Sequence, residues 1–176
     1  MREHKDIRLF FALWPDAVLR ARLQHAADSI VLAHTARRVP IANLHLTLHF
    51  IGNVYRDDMA CMRRQARLVD AAAFQLSIDR QGYFSKPRVA WLGCSDIPAA
   101  LADLHGQLGA RLQSCGYQPE ARPYHPHVTV ARKVKSIDAD PGFAPMSWRV
   151  QNFALVEVQP SADGVQYRVV ESWPLH

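Results

Sequence analysis

One tetrad, His-apolar-Thr-apolar, occurs twice in this chain, and it constrains the fold more than any other feature. His45-Leu46-Thr47-Leu48 stands in the first half and His127-Val128-Thr129-Val130 in the second. The first lies in a run, 44–50, that alternates apolar and polar; the second opens the run 127–132. A period of two is the signature of a strand. It puts His and Thr on one face and the aliphatic residues on the other. What precedes each tetrad is also alike. Residues 7–13 form a compact apolar run stopped by Trp14-Pro15-Asp16, which predicts a buried strand. Asp16 is placed to cap a helix running to about residue 33, with Val18, Leu19, Leu23, Ala26, Ala27, Ile30 and Val31 at helical spacing. In the second half a strand at 88–92 is followed by a helix at 99–114, closed by Cys115-Gly116. Each half thus reads strand, long helix, and a strand beginning His-x-Thr.

The rest of the pattern adds a helix at 57–73, an alternating strand at 74–79, and a closing pair of strands at 149–158 and 165–172. The stretch 139–145, with its Pro and Gly, predicts a flexible loop. Hairpin-like pairs are frequent and no Gly-rich phosphate loop occurs. The expected class is α+β: antiparallel sheet in two similar lobes, within a single domain spanning 1–176.

With 176 residues, 49% of them hydrophobic and 21% charged, the chain can bury a sizeable core, which excludes disorder as its main state. Its net charge of +5 suits a polyanionic partner such as RNA. Cys61, Cys94 and Cys115 are widely spaced and form no Cys-x-x-Cys, so neither a zinc ribbon nor a disulfide framework is signalled. A reducing cytoplasm is the simplest home for such a chain. The run 7–13 is too short to span a membrane, and no cleavage-like pattern follows it.

If the two tetrads lie side by side, two imidazoles and two hydroxyls converge on one cleft. Imidazole titrates near pH ~6.5, so one ring can take a proton while another gives one. Flanking a phosphodiester, such a pair activates the incoming oxygen and protonates the leaving one, with Thr hydroxyls donating to the non-bridging oxygens. Arg132 follows His127 by five residues. A regular strand would put it on the opposite face, and a strand end, twist or bulge would bring it back as a phosphate clamp. His49 shares the expected face of His45 and Thr47, and His125 precedes a proline. A zinc site from His45, His49, His125 and His127 is the competing reading, but no Asp, Glu or Cys completes it at ligand spacing. His4, His25, His34, His105 and His176 read as surface residues. Phe10, Phe11, Tyr83, Phe84, Trp91 and Tyr124 are candidates for stacking on a base, with Phe10, Phe11 and Trp91 better suited to the core. Lys86, Arg88, Arg122, Arg132 and Lys133 are candidate contacts to a nucleic-acid backbone.

Four segments together resemble a known family. They are Arg8-Leu9-Phe10-Phe11-Ala12-Leu13, the first tetrad with Phe50-Ile51-Gly52, Arg88-Val89-Ala90-Trp91-Leu92-Gly93, and the run from Arg122-Pro123-Tyr124-His125-Pro126 through the second tetrad to Arg132. The likeness is to the RNA 2′,3′-cyclic phosphodiesterases, the 2′-5′ RNA ligase-like branch of the two-histidine phosphoesterases. It implies a bilobal α+β fold with outer helices around a central cleft. It implies metal-independent hydrolysis of a 2′,3′-cyclic phosphate to a 2′-phosphate, with no cofactor. By position His45 matches the family's proton donor and His127 its proton acceptor, while Thr47, Thr129 and Arg132 match phosphate-contacting positions. Val158 stands where relatives often carry a serine, which puts one peripheral polar contact in doubt. The expected partners are RNA ends or small cyclic nucleotides, met by a single copy of a cytoplasmic chain away from any membrane. A non-catalytic RNA-binding module and reversible 2′-5′ end ligation are the alternatives on the same cleft.

Overall fold

The computed structural model describes residues 6–30, 36–137 and 142–176. Seven strands form the path of one antiparallel sheet: β1 (Asp6–Leu13), β3 (Leu46–Tyr55), β5 (Arg80–Phe84), β6 (Val89–Gly93), β7 (His127–Arg132), β9 (Asn152–Ser161) and β10 (Gly164–Pro174). Their order is β10-β9-β1-β3-β7-β6-β5, and a two-residue strand, β2 (Arg37–Arg38), pairs with β7 beside this path. A second small sheet pairs β4 (Phe74–Ile78) with β8 (Met146–Val150). The helices are α1 (Ala17–Asp28), α2 (Arg56–Ala66) and α3 (Ala99–Leu112). The matches in sequence order are therefore matches in space: β3 and β7, which carry the tetrads, meet at the middle of the sheet through Leu46 and Val128.

The two faces of the large sheet have different fates. On β1, Ile7, Leu9, Phe11 and Leu13 point into the main core with Leu46, Leu92, Val128 and Leu155. That face is covered by α1 through Leu19 and Leu23, by α2 through Met62 and Ala66, by α3 through Leu101, Leu104 and Leu108, and by the inner face of the β4–β8 ribbon. The alternate residues Phe10 and Ala12 join Ala154 and Val156 in a separate small cluster on the other face, edged by Trp14, Val158 and Tyr167. No described residue of the three helices joins the small cluster on this second face.

Local signals account for several boundaries. The Asp16 carboxylate accepts a bond from the Leu19 amide at 2.7 Å and starts α1. Gly116, at φ +84°, ends the short 3-10 turn that follows α3. Other expectations fail for reasons that are not local. α1 ends at Asp28, and the expected extension to 33 runs into 31–35, outside the described residues. α2 stops at Ala66 instead of 73, because 71–73 pairs with the chain end: the Ala73 amide donates to the His176 carbonyl at 2.9 Å and the His176 amide to the Ala71 carbonyl at 3.1 Å. The single strand expected at 149–158 is two, since β8 ends at Val150 on β4 and β9 restarts at Asn152 on β1. β2 and β5 have no counterpart in the sequence reading. Of the predicted loop 139–145, residues 139–141 lie outside the described residues.

Cys61 on α2 and Cys115 after α3 form a disulfide, with Cα atoms 5.8 Å apart, and Cys94 is free. Sequence spacing holds no sign of this pair; the packing of α2 beside α3 makes it. The pairing removes the argument from thiol usage for a reducing compartment. No helix among the described residues is long and apolar enough to cross a membrane.

Candidate active site

Leu46 opposes Val128 in an antiparallel pair, so the neighbouring rungs set His45 beside Thr129 and Thr47 beside His127. Opposed residues point to the same face, and for these four it is the open one. Both strands then carry a bulge at the same point of the motif. Phe11 pairs with His49 and Ala12 with Thr47, leaving Leu48 as the extra residue on β3. Ala90 pairs with Ala131 and Trp91 with Thr129, leaving Val130 as the extra residue on β7. Each extra residue inverts the alternation beyond it.

The two bulges have opposite consequences for the sequence reading. On β7 the bulge returns Arg132 to the face of His127 and Thr129, exposed at the strand end. On β3 it turns His49 away from His45. His49 is buried under α3, where its Nε2–H donates to the His105 carbonyl at 2.8 Å and its Nδ1 accepts from the Tyr117 hydroxyl at 3.1 Å. The four-histidine zinc set is therefore split between the two faces of the sheet. His105 is also not a free surface residue: it is half-buried and stacked between His49 at 4.1 Å and Tyr124 at 3.8 Å. His25 and His176 are exposed, and His4 and His34 lie outside the described residues.

The two imidazoles are held alike. The His45 Nδ1–H donates to the Asn43 carbonyl at 2.7 Å, and the His127 Nδ1–H donates to the His125 carbonyl at 2.7 Å. In both, a carbonyl two residues back fixes the tautomer and leaves Nε2 for chemistry. The Thr47 hydroxyl lies 3.1 Å from the His45 Nε2 and donates to it while that ring is neutral. Aromatic rings wall each histidine. Trp14 stacks on His45 at 5.6 Å and 15°, with Phe10 at 4.7 Å and Tyr167 edge-on at 5.2 Å. Phe84 meets His127 edge-on at 5.0 Å, backed by Trp91 at 6.3 Å. Sequence reasoning misses Trp14 and Tyr167. Trp14 reads locally as a strand stop, and Tyr167 arrives only through the β10–β9 pairing.

Of the candidate stacking residues, Phe11 packs in the main core and Tyr124 is held under β3, its hydroxyl donating to the Thr47 carbonyl at 2.9 Å. The Tyr83 hydroxyl donates to the Val134 carbonyl at 3.0 Å, and Arg122 is paired with Glu120.

Burial pushes the His45 pKa down to about 4; the Asn43 carbonyl opposes the shift, and the charges of Arg132 and His127 add to it. His127 is also lowered, by burial first, against the His125 carbonyl, with His125, Arg122 and Arg132 contributing. Arg132 thus acts on both rings, and Lys133 is not among the causes for either. Nearby positive charge therefore does not single out His127 as the neutral base.

A pH dependence follows. In the unfolded chain His45 takes a proton near the ordinary 6.5, but in the folded protein only near 4. Its contribution to stability is therefore full above pH 6.5 and is lost as the pH falls from 6.5 towards 4. For a shift of this size the loss is of order ~3 kcal/mol. Urea midpoints measured across this range should fall with pH. An NMR titration of the ring should place His45 near 4 in the free protein and higher when inorganic phosphate is present.

A family model, the 2′-5′ RNA ligase superfamily, matches residues 14–160. The RNA 2′,3′-cyclic phosphodiesterase of Escherichia coli K12 is 30% identical over 170 residues, 96% of each chain. That of Thermus thermophilus is 29% identical over 187 residues, covering 96% of this chain and 90% of the relative. Among solved structures, E. coli LigT complexed with 3′-AMP superposes with a TM-score of 0.90 at 28% identity, over 97% of this chain and 99% of that one. E. coli LigT complexed with phosphate gives a TM-score of 0.83 at 26% identity, over 98% and 99%. The fold and the paired histidine strands thus define a two-histidine type of α+β protein. The chain belongs to the 2′-5′ RNA ligase superfamily.

Proposed function

We propose that this chain is an RNA 2′,3′-cyclic 3′-phosphodiesterase, which opens a terminal 2′,3′-cyclic phosphate to a 2′-phosphate. The observation that carries the reading is the matched pair of imidazoles on adjacent central strands of the open face, each locked at Nδ1 by a carbonyl and presenting Nε2. The names of the relatives support the same activity.

Water attacks the phosphorus and gives its proton to the His127 Nε2. The bond from phosphorus to the 3′-oxygen breaks, and His45 delivers the proton from its own Nε2 to that oxygen. Neutral His45 must first gain that proton. The anionic phosphate raises its proton affinity on binding, against the burial that lowers it in the free protein. Protonation of Nε2 also frees the Thr47 hydroxyl to donate to a non-bridging oxygen, with Thr129 serving the other side. Arg132, whose charge reaches both rings, holds the phosphoryl group. Which histidine is donor and which acceptor rests on the family resemblance, because the fold supplies them almost symmetrically.

The reading needs one copy of the chain as a single domain and no metal or cofactor. An RNA-end substrate argues for a cytoplasmic enzyme. The test is turnover of a 2′,3′-cyclic nucleotide in excess chelator, with the product isomer identified. Full activity and a 2′-phosphate product are expected. Loss of turnover restored by zinc would require a metal-dependent mechanism instead.

A further inference from the structure

Beyond the two His–Thr rungs the open face carries a third. β2 runs alongside β7 on the same side as β3, with Arg37 opposite Arg132 and Arg38 opposite Ala131. The Val39 amide donates to the Val130 carbonyl at 2.9 Å and holds this seam. Arg38 points to the helix face, where it donates to the Ala27 and Ile30 carbonyls at the end of α1. Arg37 therefore points to the open face beside Arg132. Along β7 the rungs read Thr47 with His127, His45 with Thr129, and Arg37 with Arg132. Like charges directly opposed on an antiparallel pair are destabilising. Among the described residues neither guanidinium has an ion pair or a hydrogen bond, and both are exposed. Two exposed guanidinium groups side by side suit an anionic group such as a phosphate.

We infer that Arg37 seats the backbone phosphate next to the reacting one, so that the cleft takes a cyclic phosphate at the end of an RNA strand in preference to a cyclic mononucleotide. The inference rests on the phosphodiesterase reading above. Arg132 follows Thr129 by three residues, of which Val130 is the extra one of the bulge, so the two rungs lie about two strand steps, ~7 Å, apart, which matches the step between neighbouring phosphates of an extended RNA strand. Arg132 reaches back to the imidazoles, whereas Arg37 is not among the charges that act on either ring. One arginine of the rung thus serves the reacting phosphate and the other serves its neighbour.

The experiment compares kcat/KM for a 2′,3′-cyclic mononucleotide with that for a dinucleotide ending in the same cyclic phosphate, in wild type and Arg37→Ala. Arg37 lies exposed on a two-residue edge strand, so the variant should fold. Wild type is expected to prefer the dinucleotide. In Arg37→Ala the loss on the dinucleotide should exceed any loss on the mononucleotide by about tenfold or more. The dependence of log affinity on log salt should become shallower by about 0.7 for the dinucleotide. Arg37→Lys should keep part of the preference, having the charge without the fork. Equal losses on both substrates would put Arg37 on the reacting phosphate, and no loss on either would leave it a solvated charge; both results overturn the inference. If wild type turned over neither substrate, the phosphodiesterase reading would fall. Equilibrium binding of a 2′-phosphorylated dinucleotide and mononucleotide would then test Arg37 by itself.

Discussion

His45→Ala and His127→Ala are each expected to lower kcat by roughly 10²–10⁴-fold, the usual worth of a positioned proton transfer. The double variant should be little worse than the weaker single one, because acid and base act in one concerted unit. Folding should survive both changes, since the rings line the open face and not the main core. His45→Ala should even lose less stability between pH 6.5 and 4 than wild type does, because the ring whose protonation burial opposes is gone. An aryl phosphodiester with a nitrophenolate leaving group separates the roles. It needs no acid, so it should rescue His45→Ala far more than His127→Ala. Rescue of His127→Ala instead would exchange the two roles, and full activity in either single variant would remove the acid–base pair altogether.

Gly82→Ala should be the most damaging small change away from the histidines. Gly82 on β5 lies opposite Trp91 on β6, and the indole sits against it. A Cβ there would overlap the Trp91 ring at Cζ2, Cε2 and Cη2. The indole cannot step aside cheaply. It is buried, with Phe84 at 5.4 Å and His125 at 4.7 Å, and Phe84 walls His127. Overpacking of this kind costs about 1–3 kcal/mol or more, and each kcal/mol lowers Tm by about 2–4 °C in a chain of this size. Turnover should fall as well, because the wall of His127 moves. Gly106 is the internal control. It lies in α3 with no atom within 4 Å of its would-be Cβ, so Gly106→Ala should stabilise by about 0.5–1 kcal/mol. A Gly82→Ala protein as stable as wild type would mean that Trp91 is not seated as described.

The cleft is asymmetric where the motifs are not. The residue after the β7 bulge that faces the phosphate is Arg132; its counterpart after the β3 bulge is Phe50, exposed beneath the Arg8 guanidinium at 5.0 Å. Two equal imidazoles therefore meet one strong cation on the second lobe's side, and a matched pair of tetrads need not give matched roles.

The alternation at 44–50 and 127–132 was enough to set His45 with Thr47 and His127 with Thr129, because side-chain facing within a strand is a property of that strand. The apolar run at 7–13, the Asp16 cap and the Gly116 stop were legible for the same local reason. The tertiary structure decided what depends on two segments at once. A bulge is a mismatch between partners, so neither Leu48 nor Val130 could announce from its own neighbours that His49 would turn away or that Arg132 would turn back. The helix expected at 57–73 lost its last turns to a pairing with His176, about a hundred residues distant. Cys61 and Cys115 met because α2 and α3 pack side by side, Trp14 reached His45 from the end of the neighbouring β1, and Tyr167 reached it across β9 and β1. Arg37 had no motif at all. It entered the site only because a two-residue strand continues the path of β3 along β7 and sets a second guanidinium beside the first.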